Sequence, residues 1–208
     1  MNIIFDFDGT IVDSFDYVLG FLSSEAKKEK PTGKAAAAYR GKSMKDIAIE
    51  LGVPLWRLPF LYFKGRRVMR AHMDNLKAFN GMEEVVKELS DKGHKLYIVS
   101  SNSGRNIRRF LIKSSLNQHV QAVRGSAGLF GKDNIIRQLK YRFHMKDEIW
   151  YVGDETTDIR AAKVAKIKIA AVAWGFASRE ELASKEPDLL ALVPEDLLKI
   201  PSMEGVST

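Results

Sequence analysis

The stretch that most constrains this chain is Asn2 to Ser14, reading Asn-Ile-Ile-Phe-Asp-Phe-Asp-Gly-Thr-Ile-Val-Asp-Ser. A short apolar run, Ile3 to Phe5, ends in two aspartates one residue apart, Asp6 and Asp8, followed by Gly9 and Thr10. The run is continuous rather than alternating, as in a strand of a parallel sheet that is covered on both faces. Asp6 then falls at the carboxyl end of that strand, where open α/β sheets place their ligands. Like charges sharing such a spot raise each other's pKa unless a cation neutralises them. Two readings stand at this point: a Mg²⁺ site with a carboxylate nucleophile, or a strand closed by an Asp-Gly turn.

Downstream, the chain changes rhythm twice. Phe15 to Lys28 carries apolar residues at Phe15, Val18, Leu19 and Leu22, a helical spacing that Pro31-Thr-Gly33 interrupts. A second helix is expected from Ser43, an N-cap, to Leu51, closed by Gly52 and Pro54. A third, basic and amphipathic, is expected over Phe60 to Lys77. No strand pattern occurs in this stretch. From Gly81 onward helices and apolar strands alternate: helix Met82 to Asp91, strand Lys95 to Val99, helix Gly104 to Lys113, strand Val120 to Val123, helix Lys132 to Tyr141. Strand Glu148 to Val152, helix Glu155 to Ala165, strand Lys168 to Val172, and a last helix and strand within Ser178 to Val193 complete the series. Such alternation implies right-handed βαβ units, so the expected fold is α/β: a Rossmann-like, doubly wound parallel sheet. Residues 1–14 and 81–208 form its core domain, and 15–80 an inserted all-helical domain. The tail Pro201 to Thr208 is expected to fray.

Charge follows the same division. Residues 15–80 hold 13 Lys and Arg against 6 Asp and Glu, while the remainder holds 20 of each, so the whole net charge of +7 sits in the insertion. An anionic substrate or surface is the natural partner of such a segment. There is no cysteine, which excludes disulfides, thiolate nucleophiles and Cys-ligated metals. No apolar run approaches the roughly 20 residues that span a bilayer, and no signal-peptide pattern precedes the first strand, so a cytoplasmic location without membrane attachment is expected.

Three more strand ends carry polar groups. Lys95 to Val99 runs into Ser100-Ser101-Asn102-Ser103-Gly104 at a helix start, either an anion site or an N-cap with a polar turn. Ile149 to Val152 runs into Gly153-Asp154-Glu155-Thr156-Thr157-Asp158. A helix macrodipole accounts for Glu155 and Asp158 in the first turn, but not for Asp154. With Asp6 and the backbone carbonyl of Asp8, Asp154 offers hard oxygen ligands that suit Mg²⁺. Lys132 opens a helix, where the dipole disfavours a cation; it either neutralises the carboxylates and a bound phosphate or is an exposed lysine.

With these sites in order, nearly the whole chain resembles the haloacid dehalogenase-like hydrolases, in particular their phosphatases of the phosphoglycolate phosphatase type. Asp-Phe-Asp-Gly-Thr-Ile-Val-Asp-Ser is similar to that family's first motif, Ile98-Val-Ser-Ser-Asn102 to its second, Gly131-Lys132 to its third, and Gly153-Asp-Glu-Thr-Thr-Asp158 to its fourth. Val172-Ala-Trp-Gly-Phe176, Glu180-Glu-Leu182 and Pro187-Asp188 also resemble the C-terminal part of those phosphatases. The departures are Asn80-Gly81 where Pro-Gly is frequent, and Ser100 where threonine is commoner.

The resemblance implies a phosphoric monoester hydrolase in which Asp6 is the nucleophile and Asp8 the general acid/base. It implies Mg²⁺ held by Asp6, Asp8 through its carbonyl and Asp154, with Asp158 completing the metal site from behind these ligands. Ser100, Ser101, Lys132 and the backbone amides at Gly9 and Thr10 would bind the phosphate. An aspartate at position 8 favours phosphoryl transfer over dehalogenation. The insertion corresponds to a helical cap of the C1 type. Its Arg40-Gly41-Lys42 loop resembles the part that faces the active site, which makes Arg40 or Lys42 a candidate contact for the substrate anion; a charged surface loop is the other reading of each. The expected partner is a small phosphorylated metabolite, phosphoglycolate-like or a sugar phosphate, acted on by a monomer or homodimer. Two alternatives use the same features: a β-phosphoglucomutase-like phosphotransferase, and nucleic-acid binding or polynucleotide dephosphorylation through the basic cap. The aromatics Trp56, Phe60, Tyr62 and Phe63 are expected in the core of the insertion rather than on a stacking surface.

Overall fold

The computed structural model describes residues 1–127 and 131–203. Six strands build one parallel sheet: β1 (Asn2–Phe5), β2 (Lys95–Val99), β3 (Val120–Arg124), β4 (Ile149–Gly153), β5 (Lys168–Val172) and β6 (Leu189–Ala191). Their order is β3-β2-β1-β4-β5-β6. The chain therefore winds outward from β1 in both directions, and the carboxyl ends of β1 and β4 meet at the switch point where such sheets bind ligands. Phe5 lies beside Ile98 on one flank and Val152 on the other. This register sets Asp6, Asp154 and the Ser100 turn at one edge of the sheet.

The continuous apolar character of β1 has a direct cause. Ile3 and Phe5 pack on one face of the sheet with Val85, Leu89, Ile107 and Phe110 from α5 (Met82–Asp91) and α6 (Gly104–Lys113). Ile4 packs on the other with Tyr97, Tyr151, Ile136 and Ala162, the last two from α7 (Lys132–Arg142) and α8 (Thr156–Ala165). With helices on both sides, neither face of the strand reaches water.

Between β1 and α5 the described chain is helical: α1 (Phe15–Glu25), α2 (Gly33–Ala37), α3 (Met44–Glu50) and α4 (Leu58–His72), numbered before the helices above. Phe15, Leu19, Leu22, Ile47, Leu51 and Leu61 form a third apolar cluster there, joined by Phe176 from the loop after β5. Ser43 caps α3, accepting from the Asp46 amide at 3.2 Å, as the sequence predicts. Two expectations change. α4 stops at His72 and passes through a short 3₁₀ turn, Met73–Asn75, so the helix is shorter at its C-terminus than predicted. Three of the four aromatics do not form the core: Trp56, Phe60 and Phe63 are 80%, 64% and 54% exposed, and the Tyr62 side chain lies outside what the structure describes. α4 turns Leu61 and Met69 inward, and Gly65 between them lets the ring of Phe21 approach to 3.2 Å of where a Cβ would be. That i, i+4, i+8 stripe leaves Phe60 and Phe63 outside it.

Three elements carry no expectation: α2, built on the short alanine run after Gly33, the 3₁₀ turn Leu55–Arg57, and the 3₁₀ segment Pro194–Met203. Of the tail expected to fray, Pro201 to Met203 belong to that segment and 204–208 lie outside the described residues.

Candidate active site

The site grows out of the end of β1. The Asp6 amide donates to Val152 O at 2.8 Å, which keeps the backbone in sheet register one residue past the strand. The chain then folds back on itself: the Ile11 and Val12 amides both donate to Phe7 O, at 2.9 and 3.0 Å. Gly9 turns this corner at φ +77°, and a Cβ there would lie 2.1 Å from Asp154 Oδ2. Glycine is required on both counts.

Asp154 follows β4 and is fully buried. Its Oδ1 accepts from Thr10 Oγ1 at 2.9 Å and its Oδ2 from the Phe176 amide at 2.8 Å. A Cβ on Gly175 would lie 2.3 Å from that carboxylate, so the 173–176 loop closes directly over it. Trp174 ties the same loop down by donating from Nε1 to Thr10 O at 3.1 Å. Asp158, also fully buried, uses Oδ2 to accept from the Glu155 amide at 3.1 Å in a reciprocal cap on α8. Its Oδ1 accepts from Lys132 Nζ at 2.5 Å. The same ammonium donates to Asp6 Oδ2 at 2.5 Å. Lys132 is thus a buried bridge between two carboxylates, with 12% of its side chain exposed, and not a solvated lysine.

Asp6, Asp154 and Asp158 each present an oxygen within 4.8 Å of the others. Three buried carboxylates face one ammonium, an excess of negative charge that a low-dielectric site tolerates poorly. Burial first, then the charges of Glu155, Asp158 and Asp6, push the Asp154 carboxyl well up. Burial also raises Asp158; Lys132 opposes that rise, and Asp6 and Glu155 add to it. Burial alone would lower Lys132, but Asp158 and Asp6 outweigh it and hold the ammonium protonated. Hard oxygens, close spacing and surplus negative charge fit a small divalent cation.

Asp8 stands apart from this cluster. Its Oδ2 accepts from Asn102 Nδ2 at 3.0 Å, while Oδ1 is buried without a hydrogen bond. Burial and then the neighbouring Asp6 charge raise its pKa to about 6, against opposing pulls from Asn102, Ser14 and Lys132. The buried Ser14 hydroxyl is near enough to favour the ionised form, yet it makes no hydrogen bond of acceptable geometry. Two carboxylates one residue apart therefore occupy different settings, one tied to an ammonium and the other poised near neutrality.

The remaining expected residues fall in three places. Ser100 is buried at the end of β2, its Oγ accepting from the Asn102 amide at 3.1 Å, and Ser101 beside it is partly exposed. The Gly9 amide, expected to face a phosphate, donates to Val12 O at 2.9 Å, because the tight turn needs that bond. The Thr10 hydroxyl orients Asp154. Arg40 and Lys42 have partners of their own: Arg40 Nη2 lies 3.3 Å from Asp13 Oδ2 with its guanidinium 4.4 Å from the Phe15 ring centre, and Lys42 Nζ lies 2.5 Å from Glu50 Oε2. Both pairs are solvent-exposed and so hold their partners weakly. Sequence reasoning missed Asn102 as the partner of Asp8, and the Trp174-Gly175-Phe176 loop as the lid on Asp154. The signals were an amide inside the serine run, and a glycine between two aromatics just after a strand.

Comparison with known proteins agrees with this geometry. The model of the haloacid dehalogenase-like hydrolases matches residues 3–172. A phosphoglycolate phosphatase of Synechococcus elongatus is 32% identical over 201 residues, covering 95% of each chain. A pyrophosphatase, PpaX, of Listeria innocua is 26% identical over 207 residues, covering 96% of this chain and 95% of its own. Among solved structures, a haloacid dehalogenase-like family protein of Streptococcus pneumoniae superposes with a TM-score of 0.78 at 20% identity, over 96% of this chain and 97% of that one. With its family motifs gathered at one edge of the sheet and the family model spanning most of its length, this chain belongs to the haloacid dehalogenase-like hydrolase family.

Proposed function

We propose that this protein is a Mg²⁺-dependent phosphatase that hydrolyses a small anionic phosphorylated metabolite through an aspartyl-phosphate on Asp6. The observation that carries the reading is the unequal pair at the end of β1. A nucleophilic carboxylate must be held in place for attack, and the Lys132 ammonium fixes Asp6 through Oδ2 at 2.5 Å. A general acid must hold a proton near neutrality, and burial lifts Asp8 to about 6. Two relatives, a phosphoglycolate phosphatase and a pyrophosphatase, support the same reaction class.

In the first step an Asp6 oxygen attacks phosphorus and the bond to the leaving oxygen breaks, with the Asp8 proton passing to that oxygen. In the second, Asp8 takes a proton from water, and the water oxygen attacks the phosphoryl group. The Asp6–phosphorus bond breaks, and inorganic phosphate leaves. Asp6, Asp154, the Asp8 carbonyl and Asp158 would hold the metal. When bound, Mg²⁺ supplies positive charge opposite the phosphoryl oxygens as negative charge develops on them. Lys132, which bonds Asp6 and Asp158, would also offset that charge, with Ser100 and Ser101 at the end of β2 binding the phosphoryl oxygens.

In this reading residues 15–80 act as a cap that closes over the site and excludes water during chemistry. Its positive charge favours a leaving group that is itself anionic, such as a carboxylate or a second phosphate. Arg40 fits a role in binding that group, since its exposed pair with Asp13 can exchange for a substrate anion at little cost.

The test is phosphate release from a generic aryl phosphate with Mg²⁺. Wild-type protein should turn over, and Asp6→Asn should reduce release by at least about 10³-fold. Release no faster than that of the variant overturns the reading. A panel of phosphoglycolate, pyrophosphate, sugar phosphates, nucleotides and short oligonucleotides then separates the substrate classes.

A further inference from the structure

Asn106 lies in the first turn of α6, and only 1% of its surface is exposed. Its backbone amide bonds the capping Ser103 Oγ at 3.1 Å, which fixes where its side chain starts. The side-chain Nδ2 then donates twice: to Asn102 Oδ1 at 2.9 Å and to the backbone carbonyl of Arg66, on α4 of the insertion, at 3.1 Å. An amide nitrogen has two protons, so both are used. Asn102 Oδ1 also accepts from the Ser103 amide at 2.7 Å. Two donors on the oxygen leave Asn102 one orientation, with its NH₂ toward Asp8 Oδ2.

A continuous chain of hydrogen bonds therefore runs from the Arg66 carbonyl through Asn106 and Asn102 to Asp8. α6 makes two further contacts with the insertion on the same face. Arg109 pairs with the Asp74 carboxylate, and Lys113 donates to the Asp74 carbonyl. Residues 106, 109 and 113 follow the i, i+3, i+7 spacing of one helix stripe.

We propose that Asn106 is a positioning residue for the general acid/base: it fixes the Asn102 amide so that a donor, not an acceptor, faces Asp8, and it fastens that arrangement to the backbone of the helical insertion. The proposal rests on the assignment of Asp8 in the preceding section. Asn106 touches no reacting atom in it and, of the reacting groups, Asn102 touches only the Asp8 carboxylate, so the effect of Asn106 is on the alignment of Asp8, where small displacements are expensive in rate.

The chemistry separates this role from simple packing. Asn106→Ala removes both donors and leaves space. Asn106→Asp keeps the size and shape but places an acceptor against Asn102 Oδ1. The Asn102 amide would escape that repulsion by rotating, which turns its own oxygen toward the Asp8 carboxylate. A packing residue tolerates the isosteric change better than truncation; a positioning residue does the reverse.

The experiment compares wild-type protein, Asn106→Ala and Asn106→Asp by aryl phosphate turnover with Mg²⁺ and by NMR. Expected are a fall in kcat of roughly tenfold for Asn106→Ala and more for Asn106→Asp, within the roughly 10²- to 10⁴-fold that general acid/base catalysis contributes, with KM little changed. In the NMR arm, the Overhauser contact between the Asn102 side-chain NH₂ and the Asp8 methylene should be present in wild-type protein and lost in Asn106→Asp. Equal turnover in all three proteins, or a milder loss for Asn106→Asp than for Asn106→Ala, overturns the proposal while leaving the phosphatase reading intact. If wild-type protein releases no phosphate, that reading is what fails. The amide contact then decides the positioning claim alone, and its retention in Asn106→Asp overturns it.

Discussion

The carboxyl ends of β1 and β4 and the helical insertion between β1 and α5 handle charge in opposite ways. At the strand ends, buried Asp6, Asp154 and Asp158 bring carboxylate oxygens within 4.8 Å of one another, Lys132 bonds two of them, and glycines at 9, 153 and 175 make the room they need. The charged groups of the insertion are mostly exposed, and several meet single partners at the surface, as Lys42 meets Glu50 and Arg40 meets Asp13. Buried charges interact strongly and fix one geometry, whereas exposed pairs are worth about 0–1 kcal/mol and can be exchanged for a ligand. On the proposed function, the first region would carry the chemistry and the second the discrimination among substrates.

The sharpest way to break that contrast is to exchange Asp8 for Asn. The amide keeps the shape but cannot deliver and recover a proton, so kcat should fall by about 10²- to 10⁴-fold, with binding of a phosphate ester retained. Steady-state kinetics on an aryl phosphate and on an ester with a poor leaving group check it. The poorer leaving group should suffer more, since it depends more on protonation. A uniform loss in both would place Asp8 elsewhere in the mechanism.

A second prediction concerns the acidic cluster without metal. The Asp8 carboxyl is raised from 3.8 to about 6, and Asp154 and Asp158 are raised as well. Between the unfolded and folded values the native chain holds more protons, so the stability of the metal-free protein should fall as pH rises through that window. On the proposed reading Mg²⁺ would bind the ionised forms. At saturating concentration it should raise the melting temperature by roughly 5–10 °C above pH 7, and by much less near pH 5. Scanning calorimetry with and without chelator gives both curves, and a Mg²⁺ effect independent of pH would argue against the cluster as the metal site.

The smallest expected effect belongs to the insertion. Arg40→Ala should leave kcat on an aryl phosphate nearly unchanged and raise KM for a substrate with an anionic leaving group by about three- to tenfold, the scale of one exposed charge contact. Equal effects on both substrates would mean that Arg40 serves the fold through Asp13 and Phe15 rather than the substrate.

What could be read in the sequence divides along the same line. Strand ends were legible because their chemistry is local: Asp6 after Ile-Ile-Phe, Asp154 after Trp-Tyr-Val-Gly, and Lys132 at a helix start each break a rule that a bland sequence would keep. Partnerships were not legible, because they join distant stretches. Asn102 meets Asp8 and Trp174 meets Thr10 across the sheet, and no spacing along the chain announces either bond. The insertion misled for a further reason. An aromatic residue predicts burial on average, but in a small helical segment Leu61 and Met69 already fill the inward stripe of α4, and Trp56, Phe60 and Phe63 are left outside.

The central claim is that Asp6 carries the phosphoryl group. Wild-type protein should be quenched in acid during turnover of an aryl phosphate with Mg²⁺, digested, and read by mass spectrometry. The account predicts a phosphoryl group on Asp6 itself, absent before substrate is added and absent in Asp6→Asn. Rapid turnover with no phosphoryl group on that residue, or undiminished phosphate release by Asp6→Asn, would contradict it.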